Sequence, residues 1–151
     1  MHEGEDAVRD GDRGAIGWRD GWFVVPHHIP FRDLDYFGHV NNALHFTYFE
    51  LARTLLWFSV TGGSRPEDIG FIVAHAECDF RVQLGMERVD IAVRISAMRT
   101  TSLDFVYEIR KKRGGQIAAV GKVTVVLWDW PTQSKKAIPD QLRERIRRLS
   151  E

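Results

Sequence analysis

Cysteine is nearly absent: Cys78 stands alone among 151 residues. No internal disulfide can form, and the N-terminus lacks the apolar core of a secretory signal, so the expectation is a protein of the reducing cytoplasm. Net charge is absent too, with Lys plus Arg and Asp plus Glu at 21 each. No overall field draws the chain to nucleic acid or to an anionic membrane surface. No run reaches the roughly 18 apolar residues that span a bilayer, so no membrane partner is expected. Among catalytic signatures, G-x-S-x-G, H-E-x-x-H and G-x-G-x-x-G after a strand are all missing. Gly115 and Gly121-Lys122 approach a phosphate-binding loop, but the gap is one residue too long and Val123 replaces the Ser or Thr that would hold magnesium. The chain also lacks internal repeats and low-complexity segments.

What remains is an ordinary globular composition, 44% hydrophobic and 28% charged, of single-domain length. Residues 1–20 hold six acidic and three basic side chains but few large apolar ones, and are expected to be a flexible N-terminal tail. Residues 21–151 are expected to form a single domain. Phe23 to Phe31 alternates as a first strand, with Pro26 and Pro30 suggesting an edge or bulge. From Asn42 to Phe58 the period changes: Leu44, Tyr48, Leu51, Ala52 and Leu55 recur at steps of three and four, predicting an amphipathic helix capped by Asn41 and stopped by Gly62, Gly63 and Pro66. The added Phe46, Phe49, Leu56 and Trp57 make it apolar on more than one side, so other structure must wrap it.

Strand patterns follow. Ile72, Ala74, Ala76, Cys78, Phe80 and Val82 are predicted to share one face, with His75, Glu77, Asp79 and Arg81 on a solvated other face. The alternation resumes at Val89 to Ile95 and Leu103 to Ile109, turns at KKRGGQ (111–116), and continues from Ile117 to Trp130. Pro139 to Glu151 reads as a short, basic, exposed C-terminal helix. The order implies an α+β fold, a curved antiparallel sheet of about five strands wrapped round one long central helix. An exposed edge strand in such a sheet predicts pairing with a second copy.

The polar stretch FRDLDYFGHVNNALHF, residues 31–46, interrupts apolar neighbours at the turn into that helix. Free N–H groups and the helix dipole make such a turn a place for negative charge. A carboxylate there, Asp33 or Asp35, sits beside amides able to stabilise an oxyanion while it attacks a carbonyl or activates water. The competing reading is a polar turn braced by Asp33, Gly38 and Asn41, with His39 and His45 in structural roles. Counting ligands argues against metal. Calcium would need a bidentate Glu where Leu44 stands, and no histidine pair has helical ligand spacing. Glu50 and Arg53 are placed for an i, i+3 ion pair.

Asp33-Leu34-Asp35, Gly38-His39-Val40-Asn41-Asn42 and Phe49-Glu50-Leu51-Ala52-Arg53 together resemble the signature of hotdog-fold acyl-CoA thioesterases of the 4-hydroxybenzoyl-CoA thioesterase type. The resemblance covers about residues 22 to 130. It implies a hotdog fold, an acyl-CoA substrate cleaved to acid and free CoA, and no cofactor or metal. It also implies a homodimer or dimer of dimers with interfacial active sites. Asp35 would be the nucleophile or general base and the Asn42 N–H the oxyanion donor. Gly38, His39, Val40 and Asn41 would shape the substrate-binding loop. His45 stands where many such enzymes have Tyr. Arg99, Ser102, Lys111, Lys112 and Arg113 are candidates for nucleotide contacts by charge and location. An acyl-carrier-protein thioester, a non-catalytic acyl-CoA sensing module and a dehydratase of the same fold are the alternatives.

Overall fold

Phe49, Ala52, Leu56 and Val60, at steps of three and four, are all completely buried in one helix. The computed structural model describes residues 14–151 and places this helix, α1 (Leu44–Thr61), between the second and third strands in chain order. Around it run β1 (Gly17–Arg19), β2 (Trp22–His28), β3 (Phe71–Phe80), β4 (Arg88–Met98), β5 (Ser102–Lys111), β6 (Ile117–Asp129) and β7 (Ser134–Lys135), followed by α2 (Asp140–Leu149). All are paired antiparallel in the order β1-β2-β4-β5-β6-β3, with β7 added to β6. This is the expected hotdog architecture, with five long strands and two short ones.

The core is the face where the sheet meets α1. Leu103, Phe105, Tyr107 and Ile109 of β5 alternate inward and are sealed from solvent. Phe49 stacks on Tyr107 with ring centroids 4.2 Å apart. Each such side chain contributes about 1.5–3 kcal/mol by leaving water. Trp57 meets Phe71 edge-on at 5.1 Å, tying α1 to the start of β3.

Several local expectations are corrected. Of the expected tail, residues 1–13 lie outside the described residues, while Gly17–Arg19 pair with β2. The cause is a two-residue hairpin turn at Asp20 and Gly21, both at positive φ (51° and 79°), the conformation an Asp-Gly pair favours. The first strand ends at His28 rather than Phe31, because Pro30 has no N–H to continue a ladder and Phe31–Asp33 form a 3-10 turn. The helix proper begins at Leu44 and runs to Thr61, ending where Gly62 turns left-handed.

In β3, a bulge between Val73 and His75 reverses the parity. Ala76, Cys78 and Phe80 lie opposite Val123, Gly121 and Ala119 on the core side, as predicted, but before the bulge that side carries Phe71 and Val73 instead of Ile72 and Ala74. β3 pairs only with β6 and is largely exposed. The C-terminal helix is also less exposed than predicted: Ile146 is buried, and Arg145 Nη1 donates to the Val60 carbonyl at 2.8 Å. That places a cation on the carbonyl end of α1, where the helix dipole favours it.

Arg53 makes no ion pair with Glu50. It is buried, donates from Nη1 to the Tyr107 hydroxyl at 3.0 Å and lies over the Phe71 ring, while Glu50 points to solvent. The turn of α1 carries position 53 inward, so packing overrides the surface pairing.

On the opposite side of the sheet, Asp104 is buried and receives both Arg99 Nη1 (3.0 Å) and Nη2 (2.7 Å), plus the Thr124 hydroxyl at 2.7 Å. The Arg99 guanidinium holds the Asp104 carboxyl below the usual carboxylate range. A folded-state value below the unfolded one gives stability that is complete above the ordinary carboxylate range and is lost as pH falls through the folded value. Thermal melts taken from neutral pH down past about pH 4 should show an acid loss of stability, shallower in Asp104→Asn than in the parent.

Candidate active site

The segment between β2 and α1 is held by hydrogen bonds along its length. Asp35 N–H donates to the His39 carbonyl at 2.8 Å, and Gly38 N–H donates back to the Asp35 carbonyl at 3.0 Å. This closes a tight turn with Asp first and Gly last, the positions each favours. Gly38 has a φ of 78°, which a side chain would strain. Val40 N–H then donates to the Leu84 carbonyl at 2.7 Å, and Asn41 N–H to the Asp33 carbonyl at 3.2 Å. The loop is thereby fixed both to itself and to the segment joining β3 to β4.

Asp35 is partly engaged by this turn. Its Oδ1 accepts from Phe37 N–H at 2.9 Å and weakly from His39 N–H at 3.4 Å, while Oδ2 has no hydrogen bond among the described residues. The sequence leaves open whether Asp33 or Asp35 is the available carboxylate. Asp33 is committed, since the Tyr48 hydroxyl donates to its Oδ2 at 2.7 Å. Burial pushes the Tyr48 phenol above its ordinary value, which keeps it a donor there.

Ala43 is the N-cap position of α1 and no side chain caps it, so Asn41 closes the turn just before the helix rather than capping it as the sequence suggests. Asn41 Oδ1 accepts from Ala43 N–H at 3.0 Å and its carbonyl from Leu44 N–H at 2.9 Å. The Asn42 carbonyl accepts from His45 N–H at 3.2 Å. The N–H of Asn42 has no hydrogen-bond partner among the described residues. An unpaired amide at a helix N-terminus is a ready donor to developing negative charge.

Asp35, His39, Val40 and Asn42 line one cavity of about 330 Å³, together with Phe37, His45, Phe80 and residues 81–84. Gly38 and Asn41 shape the loop without lining it. A carboxylate with a free oxygen and an unpaired amide border the same space, where an electrophilic carbonyl can be attacked and its oxyanion received. A second cavity, about 360 Å³ beside His27 and His28, has a carboxylate in Asp90. Asp90 Oδ2 accepts from Lys112 at 3.3 Å and Oδ1 is buried without a partner among the described residues, but no helix N-terminal amide lines that space.

Sequence reasoning gives His45 a structural place inside the helix. It is buried, yet it borders the cavity. Phe80 and Val82 are read only as an apolar strand face and Arg81 as part of a solvated face in preference to a cleft, while Gln83 and Leu84 are not singled out. No local pattern marks them, because β3–β6 pairing and the Val40–Leu84 hydrogen bond bring them to the loop from a distant part of the chain. The charged candidates for nucleotide contact are not gathered here. Arg99 pairs with Asp104, Lys111 with Glu87 at 3.5 Å and Lys112 with Asp90. Among the described residues no group of His, Cys, Asp or Glu is arranged to hold a metal.

Comparison with known proteins places this chain in a family. Residues 29–146 match the model of the thioesterase-like superfamily. The chain is 30% identical over 99 residues to the uncharacterized protein YsmA of Bacillus subtilis (strain 168), covering 65% of this chain and 67% of that one. Among solved structures, a thioesterase from Thermus thermophilus complexed with coenzyme A and Zn is 30% identical. It superposes with a TM-score of 0.75, over 86% of this chain and 94% of that one. A predicted thioesterase from Bacillus stearothermophilus shares the fold at a TM-score of 0.79 and 23% identity, over 85% and 96% of the two chains. The chain belongs to the thioesterase-like superfamily and is a thioester hydrolase of hotdog fold.

Proposed function

We propose that this protein hydrolyses acyl-CoA thioesters to the free carboxylic acid and CoA, with Asp35 as nucleophile or general base and the Asn42 amide as oxyanion donor. The observation that carries this reading is the shared cavity, bordered by a carboxylate with an unengaged oxygen and by an amide with no protein partner among the described residues. Either Asp35 takes a proton from the water that attacks the thioester carbonyl carbon, or Asp35 attacks that carbon itself and water then hydrolyses the resulting mixed anhydride to release the acid and restore the carboxylate. In either attack charge builds on the carbonyl oxygen, the Asn42 N–H meets it, and collapse expels the thiolate of CoA. The coenzyme A bound to the Thermus thermophilus thioesterase supports CoA as the carrier. Acyl-carrier protein is the second choice.

The working enzyme is a homodimer or dimer of dimers in the cytoplasm, with sites completed at the subunit interface. The exposure of β3 supports this, because a long unpaired edge beside the site is a surface that a second copy would cover. Sedimentation should give two or four times the chain mass; a monomer at micromolar concentration would remove the interfacial part of the reading. No helix of the described residues is long and apolar enough to cross a membrane.

The test is thiol release from a panel of acyl-CoAs from acetyl to palmitoyl and aryl, each repeated as the acyl-carrier-protein thioester. Cleavage of at least one CoA ester is expected. Tight binding of acyl-CoA with no thiol released from any member would favour a sensing module instead.

A further inference from the structure

Two walls from distant parts of the chain enclose the cavity: the turn carrying Asp35, His39 and Asn42, and residues 80–84. Among the described residues one hydrogen bond joins them, from Val40 N–H to the Leu84 carbonyl at 2.7 Å. Both residues are buried. This bond fixes the chain two residues before Asn42, whose unpaired amide borders the same space.

The Leu84 carbonyl and the Gly85 N–H belong to one planar peptide. That N–H donates to Glu87 Oε2 at 2.9 Å. Holding the N–H on one edge holds the carbonyl on the other, and a carboxylate on the donor side polarises the peptide so that its oxygen accepts more strongly. Little else fixes this segment. Residues 81–87 belong to no helix or strand, and Gly85 has no Cβ to restrict rotation of the peptide plane before it. Glu87 is itself anchored twice. Its carbonyl accepts from Ile29 N–H at 2.9 Å, where β2 leads into the Asp35 turn, and its Oε2 lies 3.5 Å from Lys111 Nζ at the end of β5. Without that carboxylate, the Leu84-Gly85 peptide is free to turn its carbonyl away from Val40.

We infer that Glu87 is a positioning residue, which holds the Leu84-Gly85 peptide so that the Val40 bond keeps the Asn42 amide aimed at the developing oxyanion. This rests on the hydrolytic reading above and adds to it a residue that does not line the cavity.

Glu87→Ala removes the acceptor, whereas Glu87→Gln keeps a carboxamide oxygen for the Gly85 N–H and loses only the charge facing Lys111. On the best acyl-CoA, kcat of Glu87→Ala should fall about tenfold or more with KM within about twofold, because an oxyanion donor acts on the transition state. Glu87→Gln should keep kcat within about twofold of the parent. Amide hydrogen exchange at Val40, followed by NMR without substrate, should quicken in Glu87→Ala and not in Glu87→Gln. If Glu87→Ala does not melt cooperatively, Glu87→Met, which keeps the side-chain length without an acceptor, carries the same expectations. The inference is overturned if the folded variant lacking the acceptor keeps the parent kcat, if Glu87→Gln loses as much rate as that variant, or if Val40 exchange does not change. Failure of the parent to release thiol from any acyl-CoA would instead sink the hydrolytic reading, and this inference with it.

Discussion

Asp35→Asn should lose about 10²–10⁴-fold in kcat/KM on the best acyl-CoA while melting close to the parent temperature. The two halves of that expectation come from different oxygens. Oδ1 of Asp35 is the structural one, accepting from Phe37 N–H and His39 N–H within the turn, and the carboxamide oxygen of Asn can occupy its place. Oδ2 is the free one, and Asn replaces it with an NH2 that neither attacks a carbonyl nor accepts a proton. A large rate loss with a preserved melt therefore separates chemistry from loop bracing. Full activity in Asp35→Asn would remove Asp35 from the mechanism. Asp33→Asn is the useful companion, because Asp33 is held by Tyr48 and does not line the cavity. It should reduce stability by about 0.5–1.5 kcal/mol with a much smaller change in rate.

Phe49→Ala should destabilise the fold by about 3–5 kcal/mol, the largest single-site stability effect expected here. Phe49 is fully buried, stacks on Tyr107 and lies directly over Gly121 of β6. A Cβ built at Gly121 would come within 2.3 Å of the Phe49 ring, so the glycine is what lets the helix lie that close to the sheet. Gly121→Ala should in turn cost about 1–3 kcal/mol by overpacking. The two losses should not add. In the double variant the new methyl enters space that Phe49 vacates, so its destabilisation should be smaller than the sum of the single losses. Chemical denaturation of the four proteins measures this coupling, and strict additivity would show that the two positions do not share the contact.

How much of this was legible in the sequence depended on distance along the chain. The central helix and the inward rows of β4 and β5 are periodic signals, and they held, whereas the N-cap position falls at Ala43, two residues beyond the cap expected at Asn41. Asp35, His39, Val40 and Asn42 border one cavity because all four lie within one short turn of chain. The Asp20-Gly21 hairpin was a readable signal that went unused: its turn chemistry is explicit, but the charged surroundings suggested a tail. The reversed parity of β3 was not readable, since a bulge inserts a residue without any mark in an apolar/polar alternation. Nor was the burial of Arg53, which an i, i+3 pattern assigns to the surface and the fold turns toward Tyr107. Phe80 to Leu84 join the site through β3–β6 pairing and the Val40–Leu84 hydrogen bond, long-range contacts that one sequence does not display.

The strand order carries a consequence for how the chain acquires its shape. β3 is made early, directly after α1, but its only neighbour in the sheet is β6, which comes after two further strands. During synthesis β3 must wait without a partner while β4 and β5, joined by the short loop at residues 99–101, form a local hairpin. Closing that long loop costs entropy before any ladder hydrogen bond is gained, so β3–β6 docking should be the late event in folding. Phe80 and the loop that follows it form one wall of the cavity. Pulse-labelled hydrogen exchange should therefore find protection in β4 and β5 before β3, with the cavity beside Phe80 among the last regions to mature.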